Sequence, residues 1–340
     1  MSVDTLVSFL PSDVAERFDD KQVLVTGGMG FIGSNLAHVL AALGAKVTIL
    51  DALLPSYGGN VNNLSDIADQ ITIVDGNITD EALVNSLVPG VDYVFHLAGQ
   101  VGYVDSRDKP FVDLDFNGRG NLVMLEAIKE HAPLAHIIFS SSRLVYGPIK
   151  TIPVPETHPT EPLSLYGIHK LLGEKYYAYY AHNFGIYGVA VRIPNPYGPR
   201  QQIRHAKYSI VGWFMRQAME GKAIQIFGDG TQQRDYIFID DIVSALLHTM
   251  IRGEAGEAYN IGSPAPMTFE QMVDAVILAV GSGTKEFKPW PEDYEKNETG
   301  DYVADTTKIE AATGWHPRVS FTDGIQAMVA FYKDNKELYW

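Results

Sequence analysis

Short apolar runs alternate with stretches of helical spacing from Gln22 to Tyr197. Gln22 to Thr26 is a valine-rich run that predicts a strand, and Ser34 to Leu43 predicts a helix that Gly44 stops. Lys46 to Leu50 predicts the next strand, ending at Asp51. Four more strands are predicted over Ile71 to Val74, Val91 to Leu97, His136 to Ser140 and Gly188 to Arg192. After Tyr197 the alternation breaks. Ser209 to Gly221 reads as a helix carrying Trp213 and Phe214, and Ala223 to Phe227 as a strand. A strand Asp235 to Ile239 and a helix Asp240 to Ile251 are expected to return to the first domain. Ahead of all this, Ser12 to Phe18 predicts a short helix on the outside of the fold.

The junction after the first strand adds chemistry to this pattern. It reads Gly27 Gly28 Met29 Gly30 Phe31 Ile32 Gly33. Without a Cβ, such glycines let the chain turn tightly, let a pyrophosphate approach the helix N-terminus and let helix and strand pack closely. Gly28, Gly30 and Gly33 match the dinucleotide spacing, and Gly27, Gly30 and Gly33 match its variant with two residues between the first glycines. Asp51 lies 18 residues beyond Gly33, where a carboxylate accepts the adenosine ribose hydroxyls and repels the extra phosphate of NADP, so NAD is the expected cofactor. Strands alternating with helices behind such a loop predict an α/β protein with a Rossmann-type doubly wound parallel sheet and ligands at the carboxyl ends of the strands. The expected division is an N-terminal extension 1–20, a nucleotide domain 21–195 and 234–253, and a smaller C-terminal lobe 196–233 and 254–340.

Composition narrows the partners. With 26 basic against 41 acidic residues and a net charge of -15, the chain lacks the basic face that nucleic acid needs. No window approaches the ~18 apolar residues of a membrane span. Met1 to Asp20 has no basic stretch ahead of an apolar run, so it does not read as a signal peptide. There are no cysteines, which excludes disulfides and thiolate chemistry and agrees with a cytoplasmic setting. No His and carboxylate cluster has metal-ligand spacing, so no metal is expected.

Tyr166 and Lys170 sit at i and i+4 on a predicted helix, one face of which then carries a phenol and an ammonium. The ammonium is expected to favour the phenolate, because an unperturbed phenol is a poor base at neutral pH.

Together with Ser140 Ser141 Ser142 and Val145 Tyr146 Gly147, these features resemble the extended short-chain dehydrogenase/reductases, within them the nucleotide-sugar epimerases and dehydratases, of which UDP-galactose 4-epimerase is the familiar member. The resemblance runs from Val23 to Tyr332 and includes Arg192 to Arg200, Gly228 Asp229 Gly230, Arg234 Asp235 Tyr236, Tyr259 Asn260 Ile261 Gly262 and Gly314 Trp315 His316 Pro317. It implies Ser142, Tyr166 and Lys170 as the catalytic set. It implies cofactor contacts from Gly27, Gly30, Phe31, Ile32, Gly33, Asp51, Asn77, Ile78, Leu97, Ala98, Tyr166, Lys170 and Ile193, with Lys170 holding the nicotinamide ribose. Asn77 stands where an Asp commonly meets the adenine amino group. For the nucleotide-sugar substrate it implies Ser142, Asn195, Arg234 facing the diphosphate, and Tyr302, a bulky residue at a position that sizes the sugar pocket for non-acetylated hexoses. Arg204 or Lys207 is expected near the phosphates or a sugar carboxylate, while His96 and His169 read as framework.

Dehydratases in this family resemble one another in an acidic pair after the catalytic Ser or Thr, and UDP-glucuronate decarboxylases in a Glu at the second position. Arg143 and Leu144 stand there instead. C4 epimerisation, which needs neither acid, is the expected reaction. A CDP-deoxysugar 2-epimerase, a UDP-glucuronate decarboxylase or epimerase, a 4-ketosugar reductase and a non-catalytic NAD-binding protein are the alternatives. The family also implies a homodimer through Asn117 to His131 and Leu165 to Asn183, the latter bearing Tyr176, Tyr177, Tyr179 and Tyr180.

Overall fold

The computed structural model describes residues 3–54, 57–290 and 299–340. Its centre is a seven-stranded parallel sheet built from β1 (Gln22–Thr26), β2 (Lys46–Asp51), β3 (Thr72–Asp75), β4 (Tyr93–His96), β5 (His136–Ser142), β6 (Tyr187–Ile193) and a late strand, Ala258–Asn260. The spatial order is β3, β2, β1, β4, β5, β6 and then the late strand. Alternation along the strands serves both faces. Val23, Val25, Ile49 and Phe95 enter one buried cluster, and Leu24, Leu50 and Val94 enter the other. A sheet covered on both sides reads as near-continuous apolar runs, which is why these strands were visible in the sequence.

The register decides where chemistry can sit. Thr26 pairs with His96, Asp51 with Asp75 and Ser142 with Ile193, so the carboxyl ends of β1 to β6 form one ledge. After β1 the chain turns at Gly27, whose φ of 70° is left-handed, and enters helix α1 (Phe31–Ala42). A Cβ on Gly33 would lie 2.3 Å from the Gly27 carbonyl oxygen, so the close helix-to-loop contact exists only with glycine there.

Helix α2 (Leu165–Phe184) starts where the Ser164 side chain accepts the Gly167 amide at 3.1 Å and ends at the left-handed Gly185. The smaller lobe contains the parallel pair Ala223–Phe227 and Thr284–Lys288 and the helices Ile210–Met219 and Phe269–Val280. Asn195–Tyr197 and Tyr236–Phe238 form a second short parallel pair.

Two expectations are corrected here. Residues 258–260, grouped on the sequence with the lobe, form the edge strand of the main sheet. Three residues are too few to show a period. The N-terminal extension does not lie simply on the outside, because Val14 and Phe18 are fully buried and Phe18 packs on Tyr93 with ring centroids 5.1 Å apart. It also begins with a helix, Val3–Phe9, that the sequence pattern did not reveal. No helix among the described residues is long and apolar enough to cross a membrane.

Candidate active site

A cavity of about 480 Å³ opens above the ledge. Every residue assigned to the cofactor on the sequence lines it, from Gly27 and Asp51 at one end to Lys170 and Ile193 at the other, together with Ser142 and Asn195.

At the glycine end, α1 begins without a side-chain cap, so its first amides face the loop. The Asp51 carboxylate accepts the Met29 and Leu53 amides, each at 2.9 Å, and burial raises its pKa. Asn77 lines the cavity while its Oδ1 accepts the Thr79 amide and hydroxyl, each at 3.0 Å. A Cβ on Gly27 would lie 2.8 Å from the Ala98 amide nitrogen. The open glycine cradle, the uncapped amides and a positioned carboxylate fit an adenosine diphosphate moiety.

At the other end, α2 delivers Tyr166 and Lys170 side by side, both buried. The Tyr166 phenol lies beside Ser142, at the end of β5, and the Ser142 side chain favours its ionised form. Lys170 Nζ donates to the Ser140 carbonyl at 2.9 Å and stands 4.9 Å from the Phe139 ring centroid and 5.6 Å from that of Tyr166. Burial pushes the Lys170 ammonium down to about 8, against a pull from the Asp113 carboxylate. Burial also pushes the phenol well above its ordinary value, with the Ser142 side chain pulling the other way. The expected bias of Lys170 toward the phenolate thus meets an opposing effect, the cost of burying an anion.

The same helix face holds a third group. Glu174 follows Lys170 by one further turn and accepts Arg192 Nε at 2.9 Å and Nη2 at 2.7 Å, as well as the Ser141 hydroxyl. Arg192 Nη1 continues to the Tyr146 hydroxyl at 2.7 Å, and Tyr146 donates to Asn260 Oδ1 at 2.6 Å. The helix carrying Tyr166 is thereby bolted to the residue preceding Ser142. Glu174 stands at i+8 from Tyr166, but spacing alone does not reveal its buried partner on β6.

His96 and His169 are framework. His96 Nδ1 lies 2.9 Å from Thr26 Oγ1, and burial holds the ring neutral, down to about 3. His169 Nδ1 pairs with the buried Asp113.

Two residues assigned to the substrate lie elsewhere. Tyr302 is fully buried against Val145, Tyr146 and Val154 and does not reach the cavity. Arg143 takes that place, lining the cavity with its guanidinium 5.5 Å from the Tyr302 ring centroid. Arg234 is also buried outside the lining, where its Nη1 donates to the Gln233 and Gly300 carbonyls at 2.8 and 3.0 Å. Of the basic pair in the insertion, Lys207 lines the cavity and Arg204 does not. Lys207 is engaged by Asp105 at 2.6 Å, and Tyr208 both reaches Asp105 and stacks with Tyr57 at 6.4 Å. Tyr57, Lys207 and Tyr208 all line the cavity, and no sequence motif announced their contacts.

The NAD dependent epimerase/dehydratase family matches residues 23–262. A putative UDP-glucose 4-epimerase of Methanocaldococcus jannaschii is 32% identical over 318 residues, covering 92% of this chain and 99% of its own. A dTDP-glucose 4,6-dehydratase of Streptomyces niveus is 31% identical over 323 residues, covering 93% and 94%. Among solved structures, a Thermotoga maritima UDP-glucose 4-epimerase with UDP-glucose superposes with a TM-score of 0.85 at 32% identity, covering 93% of this chain and 99% of that one.

Proposed function

Because the chain belongs to the NAD-dependent epimerase/dehydratase family, which acts here on nucleotide sugars, we propose that it inverts C4 of a nucleotide-linked hexose, a UDP-sugar in the first instance, through a transient 4-keto sugar. One observation carries this choice over dehydration. Arg143 and Leu144 follow Ser142, and among the described lining residues the single carboxylate is Asp51, at the glycine end. Removing water from the sugar needs a second proton donor or acceptor beside the reacting carbons. Epimerisation needs one group that takes a proton and returns it to the same oxygen.

Tyr166 is that group in this reading. Its phenol, oriented by Ser142, takes the C4 hydroxyl proton as the ketone forms and gives it back when the ketone has presented its other face. NAD, when bound, supplies hydride acceptance and return, so no net redox change accumulates. Lys170 adds positive charge beside the phenol and holds the nicotinamide ribose. Gly27, Gly30 and Gly33 admit the pyrophosphate, Asp51 holds the adenosine ribose, and Asn195 faces the substrate diphosphate. A homodimer in the cytoplasm belongs to the same proposal. It is supported by the exposed apolar side chains Ile168, Tyr179 and Phe184 along α2.

The test is proton NMR of the purified enzyme with UDP- and dTDP-hexoses in heavy water and no added nicotinamide. A new anomeric signal without deuterium incorporation is expected. A 4-keto-6-deoxy product in its place would make the protein a dehydratase. Tyr166→Phe should lower turnover by about 10²- to 10⁴-fold while cofactor remains bound, in line with the loss of a general acid–base group. Full activity in that variant would remove Tyr166 from the mechanism.

A further inference from the structure

Behind Tyr166 and Lys170 lies a carboxylate that the proton transfer above does not use. Asp113, on the helix Pro110–Leu114, is fully buried. A charge survives in such a place only when partners surround it. Here they come from two elements. His169 Nδ1, on α2 and next to Lys170 in the chain, pairs with Asp113 Oδ2. Asn117 Nδ2 donates to Asp113 Oδ1 at 2.8 Å and to the Gln100 carbonyl at 2.9 Å. An ionised carboxylate only accepts, so Nδ1 carries the proton in the imidazole pair. The cluster thereby ties the start of α2 to the loop after β4, whose Leu97, Ala98 and Gly99 line the cavity.

Lys170 stands against this cluster. A Cβ on Gly99 would lie 2.5 Å from Asn117 Oδ1 and 3.4 Å from Lys170 Nζ, so the two side chains flank one glycine. The ammonium has neutral partners on β5, the Ser140 carbonyl at 2.9 Å and the Phe139 ring at 4.9 Å. On its own helix, the Tyr166 phenol is kept neutral by burial, and Glu174 is taken by Arg192 at 2.7 and 2.9 Å. From β4, burial holds the His96 ring neutral. Among these described neighbours Asp113 is the carboxylate left to balance Lys170, and its pull opposes the effect of burial on the ammonium. The same charge disfavours ionisation of Tyr166, and it reaches the Tyr57 phenol as well.

We propose that Asp113 is a positioning residue for the reaction: held by His169 and Asn117, its carboxylate keeps the Lys170 ammonium charged and in place beside the phenol. Asp113 does not line the cavity, so it acts through Lys170 and not on the substrate. This rests on the epimerase reading above and adds to it a group that the sugar never touches.

The experiment follows Lys170 itself in the NAD-loaded protein, by carbon NMR of chains labelled at the lysine ε-carbon, with the Lys170 signal identified by its loss in Lys170→Met. Asp113→Asn removes the charge and keeps the shape, whereas His169→Gln removes the ring and keeps the charge. Asp113→Asn is expected to move the Lys170 titration to lower pH by about one unit or more, and His169→Gln by much less. The alkaline limb of kcat should move the same way in Asp113→Asn, with KM for the nucleotide sugar within about twofold of wild type. Thermal melting establishes that each variant is folded. Should Asp113→Asn alone not fold, Asp113→Asn/His169→Gln, which removes both partners of the buried pair, takes its place. An unmoved Lys170 titration on loss of the carboxylate, or an equal move in His169→Gln, would make the cluster purely structural and overturn the proposal. The expected shift without turnover of any UDP- or dTDP-hexose would leave Asp113 its role and remove the epimerase reading instead.

Discussion

Replacing Glu174 by Gln should destabilise the protein sharply and slow it through Ser142. Glu174 and Arg192 side chains are only 6% and 7% exposed, so solvent does little to screen their charges. Two hydrogen bonds of 2.7 and 2.9 Å join them. With the carboxylate gone, the guanidinium keeps the Tyr146 hydroxyl at 2.7 Å and the Glu156 carbonyl at 3.4 Å, both neutral. Breaking one side of a buried pair costs about 3–5 kcal/mol, a large share of the ~5–15 kcal/mol that holds a typical domain folded. Gln retains the shape and one acceptor, which places the expected loss near about 3 kcal/mol. Urea unfolding of the NAD-loaded protein measures it. Arg192→Met on top of Glu174→Gln should recover part of the loss, because the unpaired charge is then removed. The catalytic consequence is separable from the structural one. Since the Ser141 hydroxyl donates to Glu174, the variant should lower kcat about tenfold or more in wild type through displacement of the adjoining Ser142. In a Ser142→Ala background it should lower kcat no further. A stability loss under about 1 kcal/mol would refute the buried-pair argument, and an equal kcat penalty in both backgrounds would refute action through Ser142.

Lys170 should leave a signature in alkaline unfolding. Its ordinary value of 10.5 is lowered to about 8 in the fold by burial. Between those limits the unfolded chain binds more protons, so this group's contribution is present above pH 10.5 and lost as pH falls through about 8, about 3 kcal/mol in all. Urea titrations across that window should rise more steeply for wild type than for Lys170→Met, and parallel curves would contradict the burial of the ammonium. Asp51→Asn should weaken NAD binding by roughly 10- to 100-fold, the scale of charge-assisted hydrogen bonds, and raise affinity for NADP relative to NAD. Cofactor content of the purified variants reads this, and unchanged NAD occupancy would show that Asp51 serves only the loop amides of Met29 and Leu53.

The sequence was most informative where a local rule and the tertiary environment agree. Val23, Leu24 and Val25 are buried on both faces of the sheet, and the run reads as a strand for that reason. The glycine loop was legible because the contact between Gly33 and Gly27 tolerates no Cβ. Ser142, Tyr166 and Lys170 could be named from motif and spacing, and the structure brings them together at one end of the cavity. Less accessible were features made by pairs far apart in the chain. Glu174 meets Arg192, Tyr57 stacks with Tyr208, and Arg143 covers Tyr302. No period or spacing encodes such partners. The roles given to Arg234 and Tyr302 rest on the family resemblance, which at Tyr302 spans a difference in local length. In this chain each is buried by what packs on it, Arg234 by the Gln233 and Gly300 carbonyls and Tyr302 by Arg143.

The edge strand Ala258–Asn260 has a consequence for how the protein is made. Residues 194–257 separate it from β6, its neighbour in the sheet, and Asn260 is also the acceptor for the Tyr146 hydroxyl and the donor to the Val154 carbonyl. A chain emerging from the ribosome therefore carries an open strand edge at β6 until residue 260 is synthesised, an exposure that invites wrong pairing. The network running from Glu174 through Arg192 and Tyr146 also closes only then. The first segment of the smaller lobe, with the helix Ile210–Met219 and the strand Ala223–Phe227, has to be made before the first domain can finish. A fragment cut after Ile193 would retain the glycine loop, Ser142, Tyr166 and Lys170, yet lack the strand that completes their support.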